Sequence, residues 1–187
     1  MIRRLARCLL VAGTMSCVWA PGPARADGLL VPWFGSAFAK DPDDTARASV
    51  GASYGAVSRG DLFGFELDFG YTPSFFGTTS AVGKNSMVTL MADLIAGPSF
   101  ETRAGKGVHP YGVFGIGLIH PDVGGNADNN FGWNAAGGVI GYLNSNVGIR
   151  FDVRYFHTVD NTSAANTIQF EPGSIHFWRA SVGVVIR

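Results

Sequence analysis

The feature that most constrains this chain is a period-two alternation between large apolar residues and small or polar ones. Between residues 62 and 72, one face carries Phe63, Phe65, Leu67, Phe69 and Tyr71, and the other carries Gly64, Glu66, Asp68 and Gly70. Successive side chains of a β-strand point to opposite faces, so the pattern predicts a strand. The alternation recurs at 147–158 and 175–186, and no 3.6-residue apolar stripe is evident after residue 26. The chain is therefore expected to be all-β.

Eight strands are predicted from this pattern. Their ranges are 29–39, 46–57, 62–72, 86–98, 108–119, 131–143, 147–159 and 174–186. The segments between them are rich in Gly, Asn, Ser and Pro, which favour turns. Segments 73–85, 120–130 and 160–173 are long, whereas 58–61 and 144–146 suit tight hairpins. Longer and shorter connections thus largely alternate along the chain.

The first 26 residues have the layout of a secretory signal peptide. A basic start with Arg3, Arg4 and Arg7 precedes a short apolar stretch at 8–20, and Pro21-Gly22-Pro23 ends that stretch. Ala24-Arg25-Ala26 is a small-x-small cleavage signal, which predicts cleavage between Ala26 and Asp27. An uncleaved anchor helix and lipid attachment at Cys17 are weaker alternatives. The mature chain is then one domain, residues 27–187.

Cleavage changes what the composition means. The whole chain has 14 basic and 14 acidic residues, but four of the basic ones lie in the first 26 residues, so the mature chain carries a net charge of −4. Cys8 and Cys17 are also removed. The mature protein therefore has no disulfide, no cysteine nucleophile and no cysteine-ligated zinc.

Hydropathy and charge exclude several classes of protein. The mean hydropathy is +0.18, yet no run of 18 or more apolar residues appears, which argues against a membrane-spanning helix. A charged fraction of 15% without a basic stripe argues against a nucleic-acid partner. An aromatic content of 12% argues against a disordered chain. A hydrophobic protein without a spanning helix remains to be explained.

A closed barrel in a membrane explains this combination. The polar faces of the predicted strands carry isolated charges among glycines rather than the dense charge of a solvated surface. In a transmembrane barrel the apolar face meets lipid and the polar face lines the lumen. A spanning sheet must close, because lipid offers no hydrogen-bond partner to an edge strand. Eight strands of about 9–13 residues satisfy the even strand number and the bilayer thickness.

The strand charges are the candidate site. They are predicted to point into the lumen and to form ion pairs that plug it: Glu66, Asp68, Asp93, Arg150, Asp152, Arg154 and Arg179. Pairing is expected because an unpaired buried charge is costly. A path for protons or ions is the alternative interpretation of the same residues. An eight-stranded barrel leaves just enough interior for side chains to fill, so no open pore is expected.

Aromatic residues near the strand ends suggest girdles at the two membrane interfaces. The candidates are Trp33, Phe34, Tyr71, Tyr111, Trp133, Tyr142, Tyr155, Phe156 and Trp178. For any one of them, ordinary packing inside the barrel is the alternative.

Three segments resemble a known family. The stretches at 131–138 (Phe-Gly-Trp-Asn-Ala-Ala-Gly-Gly), 146–156 and 177–184 are similar to the C-terminal half of small OmpA/OmpX-like barrels in the porin-like outer-membrane β-barrel family. The resemblance implies an eight-stranded antiparallel up-and-down barrel in the outer membrane of a Gram-negative-type cell envelope. It implies outer-membrane lipid and lipopolysaccharide as surroundings, and the barrel-assembly machinery as a partner during biogenesis. The family usually ends on an aromatic residue, whereas this chain ends Val185-Ile186-Arg187.

The function expected from the sequence is structural, or surface interaction with a ligand through the long loops. No catalytic, metal or cofactor residues are assigned. Lipid A deacylases of this size carry a His-x-Ser pair, but the corresponding triplet is His157-Thr158-Val159, and valine is no nucleophile. His109, His120 and His176 show no metal-ligand spacing. The alternatives are an enzyme acting on lipid A, a small-solute porin, and a soluble periplasmic barrel with an apolar ligand cavity.

Overall fold

The computed structural model describes residues 26–39, 46–58, 63–77, 83–98, 107–159 and 175–187. Its strands are β1 (Ala26–Ala39), β2 (Arg47–Ser58), β3 (Phe63–Pro73), β4 (Asn85–Ala96), β5 (Gly107–Val123), β6 (Asn126–Ala127), β7 (Asn130–Tyr142), β8 (Val147–Thr158) and β9 (His176–Ile186). Among the described residues, no helix is long and apolar enough to cross a membrane. The signal-peptide prediction falls largely on residues 1–25, outside the described part.

The eight long strands close into one antiparallel barrel. Each pairs with its neighbour along the chain, β5 pairs with β4 and β7, and β1 pairs with β9 to complete the ring. The two-residue strand β6 only extends the turn after β5. The predicted all-β, eight-stranded barrel is confirmed. We call the end that holds Ala26 and Ile186 the terminal end, and the opposite end the distal end.

The predicted strand ranges agree with the structure to within a few residues. The largest difference is in β5, which was expected to end at residue 119 and continues to Val123. Asp122 and Val123 pair with the short strand β6, which the sequence pattern missed. This extension is a local hairpin of Gly-, Asn- and Asp-rich chain, and it has no apolar alternation to reveal it.

The barrel turns its apolar side chains outward. The predicted apolar face of β3 is exposed along its whole length, with Phe63 69% and Leu67 44% accessible. Alternate residues on the same strand, Glu66 and Asp68, are buried. A soluble barrel would have the opposite arrangement, because water favours polar side chains outside. The wall therefore suits a lipid solvent.

The β1–β9 ladder, which closes the ring, has one interruption. Pairs exist at Leu30↔Ile186 and again from Trp33↔Gly183 onward, but not between them. The register places Val184 opposite Pro32, and proline has no N–H to donate. The closing ladder is thus weakest near the middle of β1.

The lumen contains two apolar layers as well as polar groups. At the terminal end lie Leu29, Val31, Ile95, Tyr111, Val113, Ile140 and Val185, which we call the terminal apolar layer. At the distal end lie Ala37, Phe75, Met87, Met91, Ile119, Phe156 and Phe177, which we call the distal apolar layer. The sequence analysis assigned the polar strand faces to the lumen and did not predict these apolar layers. Apolar side chains fill a narrow closed barrel without requiring further buried charge to be paired.

The girdle prediction is wrong for four residues, including Tyr142 of β7, which is partly buried against the terminal apolar layer inside the barrel. Trp33, Tyr111 and Phe156 lie inside the barrel, exposed by 7%, 8% and 0%. Phe156 alternates with Arg154 and therefore shares its inward face. Phe34, Tyr71 and Trp178 do lie on the outer wall. In β1 large apolar residues occupy both faces, so the sequence could not show which one turned inward.

Candidate functional site

The seven candidate charges all lie inside the barrel, between the two apolar layers. Each is at most 5% exposed: Glu66, Asp68, Asp93, Arg150, Asp152, Arg154 and Arg179. We call this group the ionic layer. Glu66, Asp68 and Asp93 come from the neighbouring strands β3 and β4, whereas the three arginines come from β8 and β9 on the other wall. The strand alternation places each set on the inner face, and closure of the barrel brings the two sets together.

Arg154 lies at the centre of the ionic layer. Its Nη1 pairs with Asp93, and its Nη2 lies 3.2 Å from Glu66 Oε1. Its Nε lies 3.4 Å from Asp152 Oδ1, and its Nη1 is 3.8 Å from Asp68 Oδ2. One guanidinium therefore faces four carboxylates. The fixed planar fork of arginine allows this multiple pairing, whereas a lysine would present a single point charge.

Arg150 forms the second part of the layer. It makes a two-armed ion pair with Glu66, through Nη1 to Oε2 and through Nη2 to Oε1 at 3.1 Å. Its Nη2 also lies 3.2 Å from Asp152 Oδ2. Tyr111 joins the two residues, because its hydroxyl accepts from Arg150 Nε at 2.6 Å and donates to Asp152 Oδ2 at 2.7 Å. Charge-assisted hydrogen bonds of this kind are stronger than neutral ones.

Arg179 occupies the side of the layer next to the closing ladder. Its Nη2 contacts both oxygens of Asp68, at 2.7 Å and 2.6 Å. The guanidinium carbon lies 4.0 Å from the ring centre of Trp33 and 5.0 Å from that of Phe156. Its Nε and Nη1 have no hydrogen-bond partner among the described residues. Two aromatic faces and one carboxylate thus hold this cation.

The formal charges of the layer do not balance. It contains four carboxylates and three guanidinium groups, a formal charge of −1 if all are ionised. Asn134 partly offsets the excess, because its Nδ2 donates to Asp93 Oδ1 at 2.7 Å. Each carboxylate therefore has at least one charged or amide donor.

Sequence analysis did not assign Tyr111, Asn134 or Trp33 to this site. Trp33 and Tyr111 were placed in a girdle, and Asn134 was noted only within the family-like segment 131–138. The sequence could have indicated both Asn134 and Tyr111, because each is separated by an even number of positions from other inward-facing residues of its strand. This alternation becomes informative only once one inward residue of the strand is known.

Glycines on the adjacent strands make room for large inward side chains, because Gly115 is the register partner of Asp93 and Gly51 that of Trp33. A Cβ on Gly115 would collide with Asp93 Oδ1, and one on Gly51 would collide with the indole of Trp33. A cavity of about 10 Å³ beside the ionic layer is bordered by Trp33, Ser53, Arg179 and Ser181 among others. That volume accommodates about one water molecule. Among the described residues, the ionic layer and the two apolar layers occupy the lumen.

The histidines lie away from this site. His157 is on the outer wall, where its ring packs 5.6 Å from Trp133. The hydroxyl of Thr158 turns to the other face and accepts from Ile175 N at 2.8 Å, so it does not pair with His157. Asp160 and Ser163, the nearby polar residues, lie outside the described part. In the described part, no cluster of three or more potential ligand residues could hold a metal ion.

Comparisons with known proteins agree with this architecture. The family model described as "Outer membrane protein beta-barrel domain" matches residues 21–184. The fold is similar to Neisserial surface protein A, at 18% identity and a TM-score of 0.65, over 86% of this chain and 97% of that one. No curated protein matches the sequence.

Two further solved structures share the fold. The N-terminal β-barrel domain of Pseudomonas aeruginosa OprF has 17% identity and a TM-score of 0.51, over 87% of this chain and 98% of that one. Ail, the attachment invasion locus protein of Yersinia pestis in complex with the heparin analogue sucrose octasulfate, has 12% identity and a TM-score of 0.52, over 85% and 97%. At such identities the likeness establishes architecture alone.

Proposed function

The chain belongs to the outer-membrane β-barrel protein family, and from this premise we propose that it is a non-conducting barrel with a structural or surface-interaction role. Its location is the cell outer membrane. The role is served by a rigid wall and by the connections at the distal end. A diffusion pore and a lipid-modifying enzyme are the competing functions.

The filled lumen is the observation that carries this proposal. The ionic layer lies between two apolar layers, and the bordering side chains leave a cavity of about 10 Å³. A hydrated ion crossing the barrel would have to displace buried apolar groups and then enter a network whose charges are already paired. Both steps are costly in a low-dielectric interior.

Planar-bilayer recording tests the absence of a pore. The purified protein should give no stable single-channel steps, whereas a general porin in the same bilayer should give large ones. Heat-modifiable gel mobility must first show that the sample is folded. Reproducible large steps from the folded protein would overturn the proposal.

The distal end is the proposed surface for interaction. There the β3–β4 connection is shaped by Asn85, whose Oδ1 accepts from Phe76 N at 2.8 Å and whose Nδ2 donates to Gly77 O at 2.8 Å. The β5–β7 connection carries Gly124 and Gly125 with positive φ. These turns fix the backbone and leave Phe76 exposed, whereas the preceding Phe75 is buried in the distal apolar layer. A partly apolar, well-defined rim suits contact with a ligand or another cell-surface molecule.

Epitope insertion tests which end faces outward. A tag between Gly124 and Gly125 should bind antibody on intact cells, and a tag at Ser145 in the terminal end should bind only after the outer membrane is opened. The opposite result would place the proposed surface in the periplasm. The folded state of both variants can be checked by heat-modifiable mobility.

Biogenesis is the last part of the proposal. We expect processing between Ala26 and Asp27, insertion by the barrel-assembly machinery, and contact of the outer wall with lipid and lipopolysaccharide. The alternating wall supports lipid contact, because outward side chains such as Phe114 and Leu94 are more than half exposed. Mass measurement of the protein from outer-membrane fractions should give a chain beginning at Asp27. A chain retaining residues 1–26 would contradict the cleavage prediction.

A further inference from the structure

Two histidines that are far apart in sequence meet on the outer wall at the distal end. His157 is the last but one residue of β8, and His176 is the first residue of β9. The strand register pairs them directly. Both are partly buried, and their ring centres are 6.4 Å apart with an interplanar angle of 34°. The sequence analysis found no spacing that would join them.

The backbone pattern makes this a close pair. Thr158 N donates to Ile175 O at 2.9 Å, so the next position, His157 opposite His176, is a non-hydrogen-bonded pair. Side chains at such positions are the closest cross-strand neighbours, with Cβ atoms about 4.5–5.5 Å apart. Two imidazoles on one face at that separation can turn toward a common ion. His157 Nδ1 is enclosed and has no hydrogen-bond partner among the described residues.

Among the described residues, the surroundings of His157 are aromatic. Trp133 lies 5.6 Å from His157, and Tyr155 stacks beside it at 6.4 Å. Tyr155 in turn contacts Trp178 at 5.0 Å. No carboxylate contact to His157 is present among the described residues. A ligand here would meet imidazole nitrogens on an aromatic base, which is unsuited to the oxygen-seeking ions Mg²⁺ and Ca²⁺.

We propose that His157 and His176 form a surface site for a late first-row transition-metal ion, with Cu²⁺ bound most tightly. Imidazole suits Cu²⁺, Ni²⁺ and Zn²⁺, and affinity for a given nitrogen site peaks at Cu²⁺. The two histidines supply two ligands, and water at the distal rim completes the coordination. Two protein ligands make this an exchangeable site rather than a structural one.

Cu²⁺ titration of the folded protein in detergent micelles tests the site. Bound Cu²⁺ should quench tryptophan emission saturably, because Trp133 lies beside His157. His157→Gln and His176→Gln should each weaken the apparent affinity for Cu²⁺ at least about tenfold. Loss of an outer-shell partner already costs a metal site about tenfold, and each histidine is a direct ligand. His120→Gln is the matched control at the same end, and it should leave the titration unchanged. An excess of Mg²⁺ should not compete.

A second readout separates binding from quenching. Trp133→Phe should remove most of the quench, while the electron paramagnetic resonance spectrum of bound Cu²⁺ keeps its imidazole nitrogen couplings. Those couplings should be lost in the two histidine variants. The proposal is overturned if both variants titrate like the wild type, if His120→Gln weakens binding equally, or if Mg²⁺ displaces the ion.

Discussion

The middle and the two ends of the lumen are filled by opposite kinds of chemistry. The ionic layer holds seven charged side chains that are nearly inaccessible, and the apolar layers above and below it hold Met, Phe, Ile, Leu and Val. Tyr111 belongs to the terminal apolar layer yet hydrogen-bonds into the ionic one, and Phe156 of the distal layer packs against Arg179. The layers are therefore joined rather than merely stacked.

The ionic layer and the apolar layers should differ in how well they tolerate amino-acid substitutions. An apolar layer is stabilised by burial and packing, so the stability lost when a side chain is truncated scales with the volume removed. An ionic layer repays the desolvation of its charges only while every partner is present. Removing one charge leaves others buried and unpaired, whereas removing a whole pair can be nearly neutral. The middle of the barrel should thus be the less tolerant of single changes.

The largest effect is expected at Arg154. Arg154→Met keeps much of the side-chain volume but leaves Asp93 without a cation and removes one cationic partner from three other carboxylates, so stability should fall by about 5 kcal/mol, the upper end for a broken buried pair. Urea unfolding in lipid vesicles, followed by tryptophan emission, measures the change. Retention of wild-type stability would show that the ionic layer does not depend on its centre.

A smaller loss of stability is expected at the ion pair between Asp68 and Arg179, beside the β1–β9 ladder. Asp68→Leu alone leaves Arg179 without its carboxylate and should cost about 3 kcal/mol. Combining it with Arg179→Met removes both charges, so the double variant should be more stable than Asp68→Leu. The same unfolding assay provides the double-mutant cycle. Simple additivity of the two losses would refute the coupling.

The distal apolar layer should respond to volume instead. Met91 is fully buried, and Met91→Ala should cost about 2–3 kcal/mol through lost burial and a new cavity. Met91→Leu conserves volume and should cost less than about 1.5 kcal/mol. Thermal shifts of heat-modifiable mobility can rank the two variants. Equal losses would indicate that shape, rather than volume, controls this layer.

The smallest loss of stability is expected at Tyr111, which links the terminal apolar layer to the ionic layer. Tyr111→Phe keeps the ring but removes the hydroxyl between Arg150 and Asp152, and should cost about 1–2 kcal/mol for the lost buried hydrogen bonds. The terminal apolar layer should remain packed. Near-ultraviolet circular dichroism checks the packing, and urea unfolding measures the loss. A loss as large as that of Arg154→Met would mean that Tyr111 belongs energetically to the ionic layer.

Much of the barrel wall could be predicted from the sequence, because the period-two alternation of apolar and polar residues distinguishes the two faces of a strand. The face of β3 that carries Glu66 and Asp68 was assigned to the lumen on that basis. The phase of β1 was not readable, since Trp33 and Phe34 are both large and aromatic. The distal apolar layer was missed for a similar reason: Met91 follows the apolar lipid-facing Leu90, so the alternation does not show that Met91 turns inward.

Local sequence by itself determined the strands, their turns and the inward direction of most charges, because these depend on neighbours within a few residues. Only the tertiary structure decided which charges meet. Arg154 and Glu66 are 88 residues apart, and closure of the barrel brings them within 3.2 Å. The same closure sets His157 against His176 and gives Arg179 its two aromatic faces. Register and curvature are properties of the whole ring, so no single segment of the chain could carry them.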